Sequence, residues 1–228
     1  EGVNFKICTA VLPLCTPSRG TFFTGKFSHK TGVKTNPDVI QGGLPWISSI
    51  LQASGYSTYI AGKLGFPEDS IKGFDEYLLS TNDKYINARF TYFGPSSDTI
   101  LSNIHIPGHT TDIVTNFASD FIRRHSQDDH PFFVFVPHRA PHVPLIPRPE
   151  DKGIFDNDTM PYPDNAYKYD HNYPSYLYPY NQAGTPEVQD SFYRGYFELL
   201  AGVEATTGEL LDTLQYYGLL DNTVVMFT

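Results

Sequence analysis

The chain has 228 residues, 40% of them hydrophobic and 15% aromatic, with 25 acidic against 16 basic residues and a formal net charge of −9. That length and apolar content suffice for one sizeable core, whereas the acidic balance excludes nucleic acid as the main partner, because a phosphate backbone needs a basic face. Two cysteines, Cys8 and Cys15, make no disulfide framework, and neither a signal peptide nor an apolar run of membrane-spanning length is recognisable.

In chain order, Asn4 to Ala10 predicts a strand leading into a turn at Cys15. Pro17 then suits the first turn of a helix, where its missing N–H has no partner to lose. Pro45 opens a second helix carrying Ile47, Ile50 and Leu51 and stopped by Gly55, followed by a strand over Tyr56 to Ala61 that delivers Gly62-Lys63. Thr111 is the expected cap of a helix whose Val114, Phe117, Phe121 and Ile122 share one face. Pro131 introduces the apolar strand Phe132 to Val136, which delivers His138 and His142. A long helix from about Glu187 to Tyr217, with a possible break near Gly202, precedes a final buried strand over Thr223 to Phe227. Strand and helix signals that alternate in this way predict an α/β fold. The motifs fall beyond the carboxyl ends of strands, where open α/β sheets keep their ligands, so Cys15, Lys63, His138 and His142 share an address.

Cys15-Thr16-Pro17-Ser18-Arg19 places a thiol, a hydroxyl and a guanidinium within about one helical turn. A helix N-terminus stabilises a thiolate or a bound anion through its dipole and free amides, and Arg19 one turn along presents a fork suited to an oxyanion. The three residues between Cys15 and Arg19 are fewer than a cysteine phosphatase cradle uses. A cysteine protease would need a histidine base and an orienting partner that nothing local identifies. A buried free cysteine beside an arginine in a surface ion pair is the structural alternative.

The whole string resembles the type I sulfatase signature: Cys15, Pro17, Ser18 and Arg19, then Thr24-Gly25-Lys26 and His29-Lys30-Thr31-Gly32-Val33. In that family, of the alkaline phosphatase-like superfamily, the cysteine becomes formylglycine, whose hydrated aldehyde is the nucleophile and a ligand of a divalent cation, usually calcium. The resemblance implies a mixed, largely parallel central sheet with helices on both faces. It also implies that a formylglycine-generating enzyme reads Pro17 and Arg19. Gly55-Tyr56 through Gly62-Lys63 is similar to the family's next segment, as is Gly73-Phe74-Asp75-Glu76-Tyr77, and Lys63 takes the role of the lysine that contacts sulfate and formylglycine. The family usually has a histidine shortly after that lysine, and Leu64-Gly65-Phe66 supplies none. Pro131 through Leu145 is similar to the P-F-F strand followed by A-P-H-x-P. There His142 matches the active-site histidine and His138 is a second candidate for substrate binding, as in iduronate-2-sulfatase-like and choline-sulfatase-like relatives.

Gly208 to Leu214 and Asn222 to Thr228 are similar to the family's G-x-L-L-D-x-L helix and N-T-[IV]-V-x-F-T strand. The resemblance then implies metal ligands before residue 1 and after residue 228, a chain that is the central part of a catalytic domain, and a calcium site to which this chain contributes only Cys15. Calcium takes about six to eight oxygen ligands. Residues 153–186 are rich in Tyr, Pro, Asn and Asp, and read as an insertion that either faces a sulfated carbohydrate or packs on its own domain. Asn157-Asp158-Thr159 is a glycosylation sequon in a secretory setting, and the resemblance points to a secreted, periplasmic or lysosomal place. Three functions are carried forward: hydrolysis of a sulfate ester through formylglycine at position 15; hydrolysis of a phosphonate or phosphate monoester on the same cluster; and glycan binding by a catalytically silent relative.

Overall fold

Tyr59-Ile60-Ala61 are apolar in succession, which suits a strand covered on both faces, and the computed structural model of the chain places them at the centre of such a strand. The structure describes residues 2–41, 43–95, 99–162 and 186–228. Strand β1 (Ser57–Gly62) lies between β2 (Glu76–Ser80) and β5 (Phe132–Phe135) and runs parallel to both. Strand β3 (Arg89–Phe93) pairs antiparallel with β2, and β4 (Leu101–His105) antiparallel with β3. The sheet is therefore mixed, in the order β4-β3-β2-β1-β5.

Successive side chains of a strand point to opposite faces, and here they divide into two cores. Ile60, Tyr77 and Leu79 pack with Phe23 of α1 (Cys15–Thr24) and with Trp46, which precedes α3 (Ile47–Ala53). Phe23 and Trp46 are stacked at 4.6 Å. Tyr59, Ala61 and Leu78 pack on the opposite side with Ile113, Val114, Ala118 and Phe121 of α4 (Thr110–His125). Helices thus cover both faces, and Cys15 stands at the first position of α1, as the Pro17 placement predicts. The short α2 (Ser28–Thr31) follows and ends at Gly32, whose φ of +79° suits glycine.

The Gly73 to Tyr77 motif forms the entry to β2. Asp75 Oδ2 accepts from the Thr58 amide and hydroxyl, both at 2.8 Å, while its own amide donates to Thr58 Oγ1. Glu76 receives both nitrogens of the Arg124 fork at 2.9 and 2.5 Å, a bidentate pair that ties β2 to the end of α4. Gly73 has φ +69°, and a Cβ there would lie 2.1 Å from the Ser49 amide. The motif therefore joins strands and helices.

Four sequence expectations change. Asn4 to Ala10 and Thr223 to Phe227 form no strand, and their apolar side chains are exposed, with Ile7 at 91% and Val224 at 83%. No described strand lies beside either segment, and β-propensity without a ladder partner leaves backbone groups to water. His109, not Thr111, caps α4: its Nδ1 accepts from the Thr111 amide at 3.2 Å, while Thr111 itself is buried. The long helix α5 (Pro186–Tyr216) runs through Gly202 unbroken. That glycine admits a close neighbour instead, since a Cβ would lie 2.7 Å from Asp151 Oδ2 and 3.2 Å from Arg148 Nε.

The chain divides into two compact units, residues 1–138 with 209–228, and residues 139–208. In the second, Arg148 and Asp151 form a buried ion pair at 2.6 Å. Glu198 Oε1 accepts from the Gly153 amide at 2.7 Å, and Tyr162 donates to Asp190 at 2.6 Å. Most of the expected Tyr-rich insertion, residues 163–185, lies outside the described residues.

Candidate active site

Leu14 offers no side-chain cap to α1, so the first amides of the helix need partners from elsewhere. Asn36 Oδ1 takes the Thr16 amide at 3.1 Å, and Pro17 has no N–H. The Cys15 end therefore keeps the helix dipole but has fewer open amides than the sequence suggests. Thr16 is buried, and its hydroxyl donates to the Gly65 carbonyl at 2.8 Å.

That bond locks the helix start to the loop leaving β1. Arg19 strengthens the lock, because its Nη1 donates to the Lys63 carbonyl at 2.6 Å. Gly65 has φ +87°, and a Cβ there would lie 2.8 Å from Arg19 Cδ. Burial pulls the Arg19 guanidinium below its ordinary pKa, while Cys15 acts in the opposite sense. An arginine remains charged through such a shift, so a cation stands one turn from the Cys15 sulfur.

Lys63 is delivered by the C-terminal end of β1, where Gly62 has φ +133° and a Cβ would lie 2.3 Å from the Pro137 carbonyl oxygen. The Lys63 amide donates to that oxygen at 2.9 Å. Close backbone approach thus sets the exit of β1 against the exit of β5. The Lys63 ammonium is 3.7 Å from Asp83 Oδ1. The loop carrying Asp83 is pinned to the start of α4: the Thr110 hydroxyl bonds the Lys84 and Tyr85 carbonyls, and Tyr85 stacks on His109 at 5.4 Å.

His138 follows β5 at the same edge. Its Nδ1 is buried and has no hydrogen-bond partner among the described residues. Burial, with a smaller contribution from His109, lowers its pKa to about 4, so the ring is neutral at pH 7. His142 belongs to the second unit and is exposed there. Its amide donates to the Arg139 carbonyl at 3.0 Å and its Nδ1 is 2.6 Å from the Val143 carbonyl. A carbonyl can only accept, so Nδ1 carries the hydrogen of that contact.

The first unit thus brings Cys15, Arg19, Lys63 and His138 to one sheet edge. Sequence reasoning passed over Asp83, His109 and the Asn36 and Gly65 braces. The cluster Ser80-Thr81-Asn82-Asp83 reads only as a turn, and nothing in it announces which strand end it will face. Positions 64 and 66, where the resemblance leads one to expect a histidine nearby, are core: Leu64 is 3% and Phe66 8% exposed. Among the described residues no group of three or more His, Cys, Asp or Glu side chains could hold a metal ion. They do not fit the implied calcium site, and no step below passes through a metal. Among the same residues no helix is long and apolar enough to cross a membrane.

The structure is a mixed α/β sheet with a cysteine, an arginine and a lysine at its carboxyl edge. The family model described as Sulfatase matches residues 1–228, and the chain belongs to the sulfatase family, within the alkaline phosphatase-like superfamily. An N-acetylglucosamine-6-O-sulfatase of Bacteroides thetaiotaomicron is 32% identical over 167 residues, covering 73% of this chain and 29% of that protein. The N-acetylglucosamine-6-sulfatase of Bos taurus is 26% identical over 253 residues, covering 100% of this chain and 44% of that protein. The chain spans less than half the length of these two relatives. A solved structure of a protein in complex with its substrate D-glucosamine-2-N,6-O-disulfate shares the fold, with a TM-score of 0.77, 24% identity, and coverage of 96% of this chain and 56% of the other.

Proposed function

We propose that the chain is the central part of the catalytic domain of a sulfuric ester hydrolase acting on a sulfated carbohydrate, with Cys15 converted to formylglycine. The observation that carries this reading is the lock between Arg19 and the Lys63 carbonyl at 2.6 Å, which holds the helix start and the lysine strand end together. The modified residue supplies a hydrated aldehyde in place of the thiol. Arg19 holds positive charge beside that position, and Lys63, a mobile ammonium, donates to sulfate oxygens. In this reading His142 donates to the sulfate or assists the leaving oxygen, and neutral His138 offers hydrogen bonding without charge. Relatives named for removing 6-sulfate from N-acetylglucosamine support a sulfated amino sugar as substrate.

The reading includes maturation by a formylglycine-generating enzyme and a calcium ion whose carboxylate ligands are not among the described residues. It also places the whole protein in a secreted, periplasmic or lysosomal setting, where the exposed Asn157 and Thr159 of the sequon are open to glycosylation. The buried Leu64 and Phe66 after Lys63 favour a second reading, a silent glycan-binding relative.

Tryptic cleavage after Lys6 and Arg19 releases the peptide Ile7 to Arg19. In protein from its native host, the expected mass is that of an aldehyde at position 15, with faster turnover of an aryl sulfate than of an aryl phosphonate. An unmodified cysteine with no turnover would leave the silent reading. Faster turnover of the phosphonate would replace the sulfate ester as substrate.

A further inference from the structure

Residues 2–37 contain five basic side chains, Lys6, Arg19, Lys26, Lys30 and Lys34, and no acidic one, in a chain whose net charge is −9. Positive charge is thus gathered at one end of an acidic sequence, and of these five the mechanism above uses Arg19. Lys26, Lys30 and Lys34 are exposed and lie in and around α2, beyond the C-terminal end of α1. Cys15 begins that ten-residue helix, so its far end is about 15 Å away at 1.5 Å per residue.

Between Lys26 and Lys30 the surface carries an aromatic shelf. Phe27 and His29 stack with ring centroids 6.0 Å apart and planes 12° from parallel, and Phe27 is 59% exposed. The backbone beneath holds the shelf in place. The Lys30 and Thr31 amides donate to the Phe27 carbonyl at 2.8 and 3.1 Å, and the Gln41 amide donates to the Thr31 carbonyl at 2.8 Å. Thr31 and Val33 are fully buried, which anchors the segment while the lysines stay in water. Asp38, the first acidic residue after residue 1, is turned to the Lys34 and Thr35 amides at 2.9 and 2.8 Å. Neither Lys26 nor Lys30 pairs with a carboxylate among the described residues.

A flat apolar face flanked by ammonium groups fits a sulfated sugar chain, whose ring faces stack on aromatic side chains and whose sulfates meet the lysines. We propose that Lys26, Phe27, His29 and Lys30 form a second, non-catalytic surface that holds a strand of sulfated polysaccharide while the site at Cys15 acts on a sulfate elsewhere. The holding needs the surface alone; its link to turnover rests on the sulfate-ester reading above. A single polysaccharide strand is narrow enough to stay on the patch. An anionic bilayer would extend over the acidic remainder of the chain and be repelled by it.

The test measures heparin binding by the full-length protein carrying Cys15→Ala, so that no sulfate is removed, with desulfated heparin alongside. Heparin is expected to bind and its desulfated form not to. Phe27→Ala and Lys30→Gln are each expected to weaken heparin binding about threefold. Lys30→Gln should also lower the slope of log Kd against log salt by about one, as the loss of one contact to a linear polyanion does. With Cys15 intact, both variants should leave aryl sulfate kcat/KM unchanged. Heparin affinity and salt slope unaltered in both variants would overturn the proposal, as would equal binding of desulfated heparin. A parallel fall in aryl sulfate kcat/KM would overturn it too, since the patch would then act through the catalytic site. So would phosphatidylserine vesicles that lose affinity in the variants while heparin keeps its own. Absence of aryl sulfate turnover in the intact protein counts against the sulfate-ester reading alone, because heparin binding decides the surface without turnover.

Discussion

A half-buried guanidinium must be matched by acceptors, and Arg19 finds one in the Lys63 carbonyl. Arg19→Ala is expected to lower stability by about 1–3 kcal/mol through the carbonyl and cavity left behind, read by chemical denaturation. In the full-length protein it is also expected to lower aryl sulfate turnover about a hundredfold or more. Arg19→Lys should recover part of the stability and little of the turnover, because a point charge does not reproduce the fork. His138 makes a pH prediction whose sign follows from linkage. Its folded pKa of about 4 lies below the ordinary histidine value of 6.5, so between those values the unfolded chain binds more protons and stability falls as pH falls. The slope for one such group is at most about 1.4 kcal/mol per pH unit. His138→Gln should flatten the denaturation midpoint against pH in that window, and an unchanged slope would remove His138 as its source. The Cys15 to Arg19 string reads from residue types and spacing as a helix start with a thiol and a cation one turn apart, and α1 begins at Cys15. Asp83 was not legible, because its meaning depends on a lysine 20 residues earlier that only strand order brings near.

At the scale of elements, the sheet depends on a few backbone approaches that no other residue permits. Gly62→Ala would put a methyl group 2.3 Å from the Pro137 carbonyl oxygen at φ +133°. It is expected to cost roughly 2–4 kcal/mol, measured as a drop in unfolding free energy, and to separate the exits of β1 and β5. Asp75→Ala would strand the Thr58 amide and hydroxyl at once, with Thr58 fully buried. A loss of about 2–4 kcal/mol is expected, read as a drop in unfolding free energy. The helices α1, α3, α4 and α5 and the strands β1 and β5 were readable from punctuation and periodicity. Strands β3 and β4 were not, since Arg89 to Phe93 and Leu101 to His105 are short and carry mixed polarity. The pairing of β3 with β2 and of β4 with β3 is a tertiary choice.

For the whole molecule, the exposed apolar residues Val3, Phe5 and Ile7 and Val224, Met226 and Phe227 have no described partner strand. A 228-residue polypeptide made alone is expected to bind a hydrophobic dye and to self-associate in size-exclusion chromatography, and a longer polypeptide covering these residues to do so less. Equal behaviour of the two would remove the reading of the chain as part of a longer catalytic domain, as would an intact mass of 25.7 kDa in the native host. The division into two units was not legible, because the boundaries at residues 138 and 208 fall inside continuous motifs and a continuous helix. By itself the sequence determined the α/β class, the helix start at Cys15 and the strand that delivers Lys63, all of which rest on neighbours within a few residues. Only the tertiary structure decided that Arg19 holds the lysine's own carbonyl, that Gly202 makes room for an ion pair and that Asp83 stands beside Lys63. Such contacts join residues far apart in the chain, and their geometry exists only once each unit has folded.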